Sequence, residues 1–166
     1  MAMLLSTLPA TGPAWLAAYQ HHELLLGRGL SVLGAWALLN LCLSGYQLPR
    51  TDRRTWHFHF HLMNCAWGFV NAVLAAVGIL RTHPGKSAAA LGPTGALADI
   101  HFTGQVFLFN AALDVGYLLV ALWLLNRATY PSANRPERLY GYGRSVQLQG
   151  AFLLVFDVAM WWLLGR

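Results

Sequence analysis

The sequence predicts an all-α protein, a four-span transmembrane helical bundle, on three observations. The chain of 166 residues is 57% hydrophobic, and only 10% of its residues are charged, whereas soluble proteins have about 25%. Four apolar stretches each reach the roughly 20 residues that a helix needs to cross a ~30 Å hydrocarbon core. The arginines gather mainly in the connections between these stretches. We therefore expect a single transmembrane domain that covers residues 1–166.

The four spans are predicted at residues 24–46, 59–80, 101–126 and 143–164. Before the first span, Pro13 can begin a helix. Residues 14–26 are therefore expected to form a short N-terminal interfacial helix, or to continue span one with a bend at Gly27 and Gly29. The connection at residues 81–100 contains several glycines and prolines and should be irregular, and that at residues 127–142 should be a polar turn.

The basic residues predict the orientation of the chain. Seven arginines flank the first and third connections, and four basic residues lie on the other side; the seven are Arg50, Arg53, Arg54, Arg127, Arg135, Arg138 and Arg144. Because positively charged loops remain in the cytoplasm, we expect a multi-pass protein of the bacterial inner (cytoplasmic) membrane with both termini outside. The net charge of +5 then reflects topology, so membrane lipids are the expected partners and nucleic acid is not.

Polar side chains recur at three- and four-residue spacing along the spans, which places each set on one helix face. They are His61, Asn64 and Asn71 on span two, Asn110, Asp114 and Tyr117 on span three, and Gln149 and Asp157 on span four. Since hydrocarbon holds no water to satisfy these groups, they must be bonded within the protein or used by it. We expect these residues to form a polar centre that binds or transports protons or a small polar or amphiphilic ligand.

Depth along each helix divides the polar centre into two layers. Asn71, Asp114 and Asp157 lie about twelve to fourteen residues into their spans, which at about 1.5 Å per residue is the midplane. A second layer nearer the cytoplasm should hold Asn40, His61, Asn64 and Gln149. A bare carboxylate at the midplane costs about 2.5–3.5 kcal/mol, so both aspartates should be protonated, paired or hydrated. The alternative is a structural partner subunit, in which these groups only fix helix register.

Histidines provide another alternative, a membrane-embedded metal-dependent enzyme or metal-binding protein. Six residues of types that bind Zn²⁺ or Cu²⁺ fall near the outer rim: His21, His22, Glu23, His83, Asp99 and His101. Their spacing matches no specific metal motif. Because the sequence also lacks haem, di-iron and serine-hydrolase patterns, it favours a non-enzymatic protein and leaves any cofactor unknown.

Small residues predict close helix packing, since they let helix backbones approach in lipid. Gly27, Ser31 and Ala35 recur at four-residue spacing on span one, as do Gly68, Ala72 and Ala76 on span two, and Ala112 and Gly116 on span three. Four helices enclose little space, so a permeation path would require a homo-oligomer.

Several strings resemble those of small bacterial four-helix integral membrane proteins of unassigned function. They are residues 61–64 (HLMN), residues 110–117 (NAALDVGY), and residues 141–143 (GYG) followed by Gln149 and Gly150. The resemblance covers most of spans two to four. It implies a helical bundle in a bacterial membrane and assigns no catalytic residue.

Overall fold

The protein is a bundle of four long helices. The computed structural model describes residues 13–82 and 88–165, with side chains for residues 15–82 and 92–165. The helices are α1 (Pro13–Gln47), α2 (Trp56–Arg81), α3 (Ala88–Ala128) and α4 (Pro136–Gly165), with a 3₁₀ turn at Leu48–Arg50. Each contains a segment that is long and apolar enough to cross a membrane. The predicted all-α class and the four helices are therefore confirmed.

Helix α1 runs without interruption for 35 residues. Its first half continues span one, so the described part of the chain has no separate interfacial helix. A Cβ added at Gly29 would overlap Met160 of α4, and one added at Gly27 would lie 3.9 Å from Thr82 Oγ1. These two glycines therefore lie where α1 packs on its neighbours, and the chain stays helical through both.

Helix α3 contains one break, at Gly92, where φ is +65°. Glycine adopts positive φ readily because it has no Cβ, and proline suits the first turn of a helix. The helix resumes at Pro93, well before the predicted start at His101, and α4 likewise begins at Pro136 rather than at Gly143. The connections are therefore shorter than the sequence suggested.

The interfaces between helices define the order of the bundle. The most extensive is between α3 and α4, followed by α1 with α2 and then α2 with α4, whereas α1 contacts α3 and α4 less. Around the bundle the order is therefore α1, α2, α4, α3. The α1–α2 and α3–α4 connections lie at the same end, which we call the arginine end because it carries the seven arginines named above.

Apolar side chains both fill the bundle and cover its surface. The core lies mainly in the half away from the arginine end and includes Phe107, Leu153, Phe156, Met160 and Leu164. Large apolar side chains are also exposed on every helix, for example Leu38 and Phe109. Such a surface is unfavourable in water and suits a hydrocarbon environment.

The predicted small-residue faces pack only in part. Gly68 of α2 is buried, and an added Cβ would lie 3.2 Å from the Ala37 backbone oxygen of α1. Ser31, Ala35, Ala76, Ala112 and Gly116 are exposed. Among the described glycines, the closest contact with the backbone of another helix is at Gly141 of α4, where an added Cβ would overlap the backbone of α2.

Candidate functional site

Gln149 of α4 is the centre of a buried hydrogen-bond network that joins three helices. Its Oε1 accepts from Trp36 Nε1 of α1 at 2.8 Å. Its Nε2 donates to Asn40 Oδ1 of α1 at 2.9 Å and to Asn64 Oδ1 of α2 at 3.1 Å. The Gln149 side chain has no exposed surface. With both amide hydrogens and the oxygen bonded, its hydrogen-bonding groups are all satisfied.

Ser145 and Asn40 complete this Gln149 network. Ser145 Oγ donates to Asn64 Oδ1 at 2.6 Å, and Asn40 Nδ2 donates to the backbone oxygen of Trp36 at 2.8 Å. Ser145 lies four residues before Gln149, and Trp36 four before Asn40, so each pair shares a helix face. The structure thus brings together Asn40, Asn64 and Gln149, three residues that the sequence assigned to one layer.

His61, the fourth residue of that predicted layer, has a different partner. Its Nδ1 lies 3.2 Å from Ser44 Oγ of α1, with donor and acceptor set by the histidine tautomer. His61 is half-buried, whereas His59 is buried and His57 is exposed. The His59 ring packs edge-on against Tyr142, 5.5 Å between centroids.

Two carboxyl groups meet farther from the arginine end. Asp114 of α3 and Asp157 of α4 lie close enough for their carboxyl groups to interact, and they are only 2% and 5% exposed. A carboxylate has acceptors only, so a hydrogen bond between two carboxyl groups requires a proton on one of them. No described cation forms an ion pair with either group, and Arg28 is exposed. We call these residues the carboxyl pair.

Asn71 lies at the height of the carboxyl pair on the facing helix. The rings of Trp67 on α2 and Tyr117 on α3 meet edge-on with centroids 5.1 Å apart. Asn71 follows Trp67 by one turn and Asp114 precedes Tyr117 by nearly one turn. Because α2 and α3 run in opposite directions, both steps lead away from the arginine end, by about 6 Å and about 4.5 Å.

Two polar atoms in this layer are buried without a hydrogen-bond partner among the described residues. They are Asn71 Nδ2, a donor, and Asp114 Oδ2, an acceptor. An unsatisfied buried group costs about 1–3 kcal/mol. The layer of the carboxyl pair is therefore incompletely bonded, in contrast to the Gln149 network.

Asn110 and Tyr117 are the remaining predicted site residues. Both are half-buried, and neither forms a side-chain hydrogen bond with another described residue. Tyr117 contributes its ring contact with Trp67. The sequence grouped both residues with Asp114 on one face of span three, and the structure gives them no polar partner there.

The described residues among those proposed for a metal site lie at the end of the bundle opposite the arginine end. Tyr19 donates its hydroxyl to Asp99 Oδ2 at 3.0 Å, and the buried His22 ring stacks beside Tyr19. His21 and His101 are exposed, Glu23 is half-buried, and His83 lies outside the described residues. Among the residues described, no three His, Cys, Asp or Glu side chains are grouped so as to hold a metal ion.

The sequence reasoning missed Trp36, Ser44 and Ser145, which supply hydrogen bonds in the polar half of the bundle. An indole N–H within an apolar span needs an acceptor, so the sequence does offer a signal for Trp36 as a member of a hydrogen-bond network. Ser145 precedes Gln149 by one turn, and Ser44 follows Asn40 by one turn. Each serine therefore shares a helix face with a residue of the predicted polar layer.

Comparison with known proteins gives one match. A family model described as "Family of unknown function (DUF6992)" matches residues 32–158, a range that contains the Gln149 network and the carboxyl pair. No curated protein and no solved structure matches the chain. Since the matched range covers more than half of its residues, the chain belongs to the DUF6992 family of unknown function.

Proposed function

We propose that this protein is an integral membrane protein that binds an exchangeable proton at the carboxyl pair. The observation that carries the proposal is the close approach of the buried Asp114 and Asp157 carboxyl groups inside an apolar bundle. Ionisable residues within membrane spans are costly and commonly mark proton relays. Two carboxylates in such close proximity would repel each other, so binding of one proton relieves that repulsion.

The burial of two polar atoms in this layer favours a proton over a larger ligand. Asn71 Nδ2 and Asp114 Oδ2 are both closed to water. A small polar or amphiphilic molecule would reach them only if the helices separated, whereas a proton occupies no cavity. Binding of such a molecule is therefore the second candidate, and it requires a wider opening of the bundle.

Asn71 gives the pair a second bonding arrangement. In the proton-bound state that we propose, Asp114 bonds to Asp157, and Asn71 Nδ2 has no partner among the described residues. When the proton leaves, Asp114 becomes a full acceptor at the height of the Asn71 donor. A rotation of either side chain would then satisfy both atoms and stabilise the charged state.

The arginine end is proposed to face the cytoplasm, with both termini outside the bacterial inner membrane. Ser132→Cys at the arginine end and Thr94→Cys at the opposite end test this, each in a chain whose native cysteines are replaced by serine. A membrane-impermeant thiol reagent added to whole cells should label only the second variant. Labelling of only the Ser132→Cys variant would instead show that the arginine end faces outside. Proton movement across the membrane, beyond binding, would require further copies of the chain.

Infrared spectroscopy of the reconstituted protein tests proton binding. The wild type should show the C=O stretch of a buried protonated carboxyl group at neutral pH, and this band should shift in D₂O. Asp157→Asn should remove the band, because the amide donates to Asp114 and preserves the hydrogen bond without the exchangeable proton. Circular dichroism should show unchanged helix content.

Asp52→Asn is the matched control, since Asp52 is exposed in the first connection and should leave the band intact. A band that persists in both Asp157→Asn and Asp114→Asn, or that is absent from the wild type, would contradict the proposal. Elemental analysis of the dialysed protein addresses the metal alternative: a stoichiometric bound metal would replace the proton as the proposed ligand.

A further inference from the structure

We propose that the arginine end binds the headgroups of anionic phospholipids, with Arg50, Arg53 and Arg54 as the main contacts. This inference does not depend on proton binding at the carboxyl pair. It depends on charge, side-chain geometry and the aromatic residues at the same end.

The positive charge of this end is not neutralised within the protein. Its seven arginines are accompanied by only two acidic residues, Asp52 and Glu137. No ion pair within 4 Å joins any of them to an acidic side chain in the described chain, and six of the seven are exposed. The end therefore presents guanidinium groups that lack a counter-ion from the protein itself.

Aromatic contacts hold two of these guanidinium groups at the surface. The Arg50 guanidinium lies 3.7 Å from the centroid of the Tyr46 ring and donates to the Tyr46 backbone oxygen at 2.7 Å. The Arg53 guanidinium lies 6.0 Å from the centroid of the Phe58 ring. A guanidinium has five N–H donors, so stacking and one backbone bond leave several of them free for phosphate oxygens.

The loop that carries these arginines is short and internally bonded. The backbone N–H of Arg54 donates to Asp52 Oδ1 at 2.9 Å, and Thr55 donates its hydroxyl to the Asp52 backbone oxygen at 2.8 Å. The three arginines are therefore presented together, which lowers the entropic cost of binding one anionic surface.

Exposed aromatic side chains place this end at headgroup depth. Tyr46, Trp123 and Tyr130 are each at least half exposed near the arginine end, and Trp and Tyr favour the membrane–water interface. The guanidinium groups then lie beside lipid phosphates rather than in bulk water. This position, together with the charge, favours a lipid headgroup over a soluble anion.

Lipid titration of the full chain in a neutral detergent tests the inference. Phosphatidylglycerol should raise the unfolding temperature more than phosphatidylcholine does, and inorganic phosphate should have little effect. Each surface arginine strengthens attachment by about five-fold. The variant Arg50→Gln/Arg53→Gln/Arg54→Gln should therefore bind phosphatidylglycerol about one hundred-fold more weakly.

The matched control is Arg28→Gln/Arg81→Gln, which removes two exposed arginines from the half of the bundle away from the arginine end and should change this affinity little. Three results would each overturn the proposal. They are equal binding of the two lipids, an equal loss of phosphatidylglycerol affinity in the control, and an affinity for inorganic phosphate that matches that for the lipid. The wild type gives a test that needs no variant: its phosphatidylglycerol binding should weaken in 1 M salt, where screening shortens to about 3 Å, and binding unaffected by salt would also overturn it.

Discussion

Replacement of Gln149 by methionine should destabilise the bundle through hydrogen bonding rather than through volume. Methionine is similar in length and flexibility to glutamine, so the helices can keep their spacing. The substitution removes the three side-chain bonds that Gln149 makes with Trp36, Asn40 and Asn64. Interhelical bonds in membrane proteins average about 0.6 kcal/mol, so we expect the free energy of unfolding to fall by about 2 kcal/mol.

The groups left behind set the upper limit of this effect. Asn64 Oδ1 keeps its bond from Ser145, whereas Trp36 Nε1 and Asn40 Oδ1 lose the partner that they have in the wild type. If neither group finds another partner, the loss rises toward about 1.7 kcal/mol per bond, the largest value measured for such contacts. The expected range is therefore about 2–5 kcal/mol.

Reversible unfolding in mixed micelles, followed by helix content as denaturing detergent is added, measures this free energy. Gln147→Met is the matched control, because Gln147 is bonded only to the exposed Arg144 side chain, at 3.0 Å, and its loss should cost less than about 0.5 kcal/mol. Equal effects of the two substitutions would refute the view that the Gln149 network stabilises the association of α1, α2 and α4.

Two further substitutions probe the same interfaces. Gly141→Ala should lower the free energy of unfolding by about 1–3 kcal/mol, because the new Cβ would lie 2.8 Å from His59 Cβ and overlap the Trp56 backbone oxygen. The control is Gly45→Ala, which has nothing within 4 Å of the added atom and should be neutral or stabilising. Equal losses of stability in the two variants would refute this account. Trp36→Phe should lower the free energy of unfolding by about 0.6 kcal/mol, while the phenylalanine ring stays stacked on Phe152. The effects of Trp36→Phe and Gln149→Met should not add, because both remove the same hydrogen bond. Strict additivity would show that the 2.8 Å bond from Trp36 Nε1 to Gln149 Oε1 contributes nothing.

The helices were predictable because hydrocarbon leaves the backbone few options. A spanning segment must satisfy its own peptide groups, so apolar stretches of sufficient length are read directly as helices. Their ends were less predictable because polar residues in the headgroup region do not stop a helix. Asp99 and His101 lie inside the part of α3 that continues without a break from Pro93. The prolines at positions 93 and 136 indicated where helix begins better than hydropathy did.

Layers of the candidate site were predictable for a similar reason. The rise of a helix is constant, so counting residues gave the heights of Asn64 and Gln149, and of Asp114 and Asp157, well enough to identify pairs that bond. The rotation of each helix about its own axis is set by its neighbours, which a single sequence does not display. For that reason Asn110 is only half-buried, and Ser31 and Ala35, expected between helices, are exposed.

The two layers differ in how they connect α3 to the rest of the bundle. The Gln149 network joins α1, α2 and α4, and none of its hydrogen bonds involves α3. Helix α3 is joined by the carboxyl pair to α4 and by Asp99 to α1. Under the proposed function, loss of the shared proton would replace one of these bonds with a repulsion between α3 and α4. Because the other three helices are bonded to one another independently of the carboxyl pair, α3 is the helix whose polar contacts would change with the protonation state.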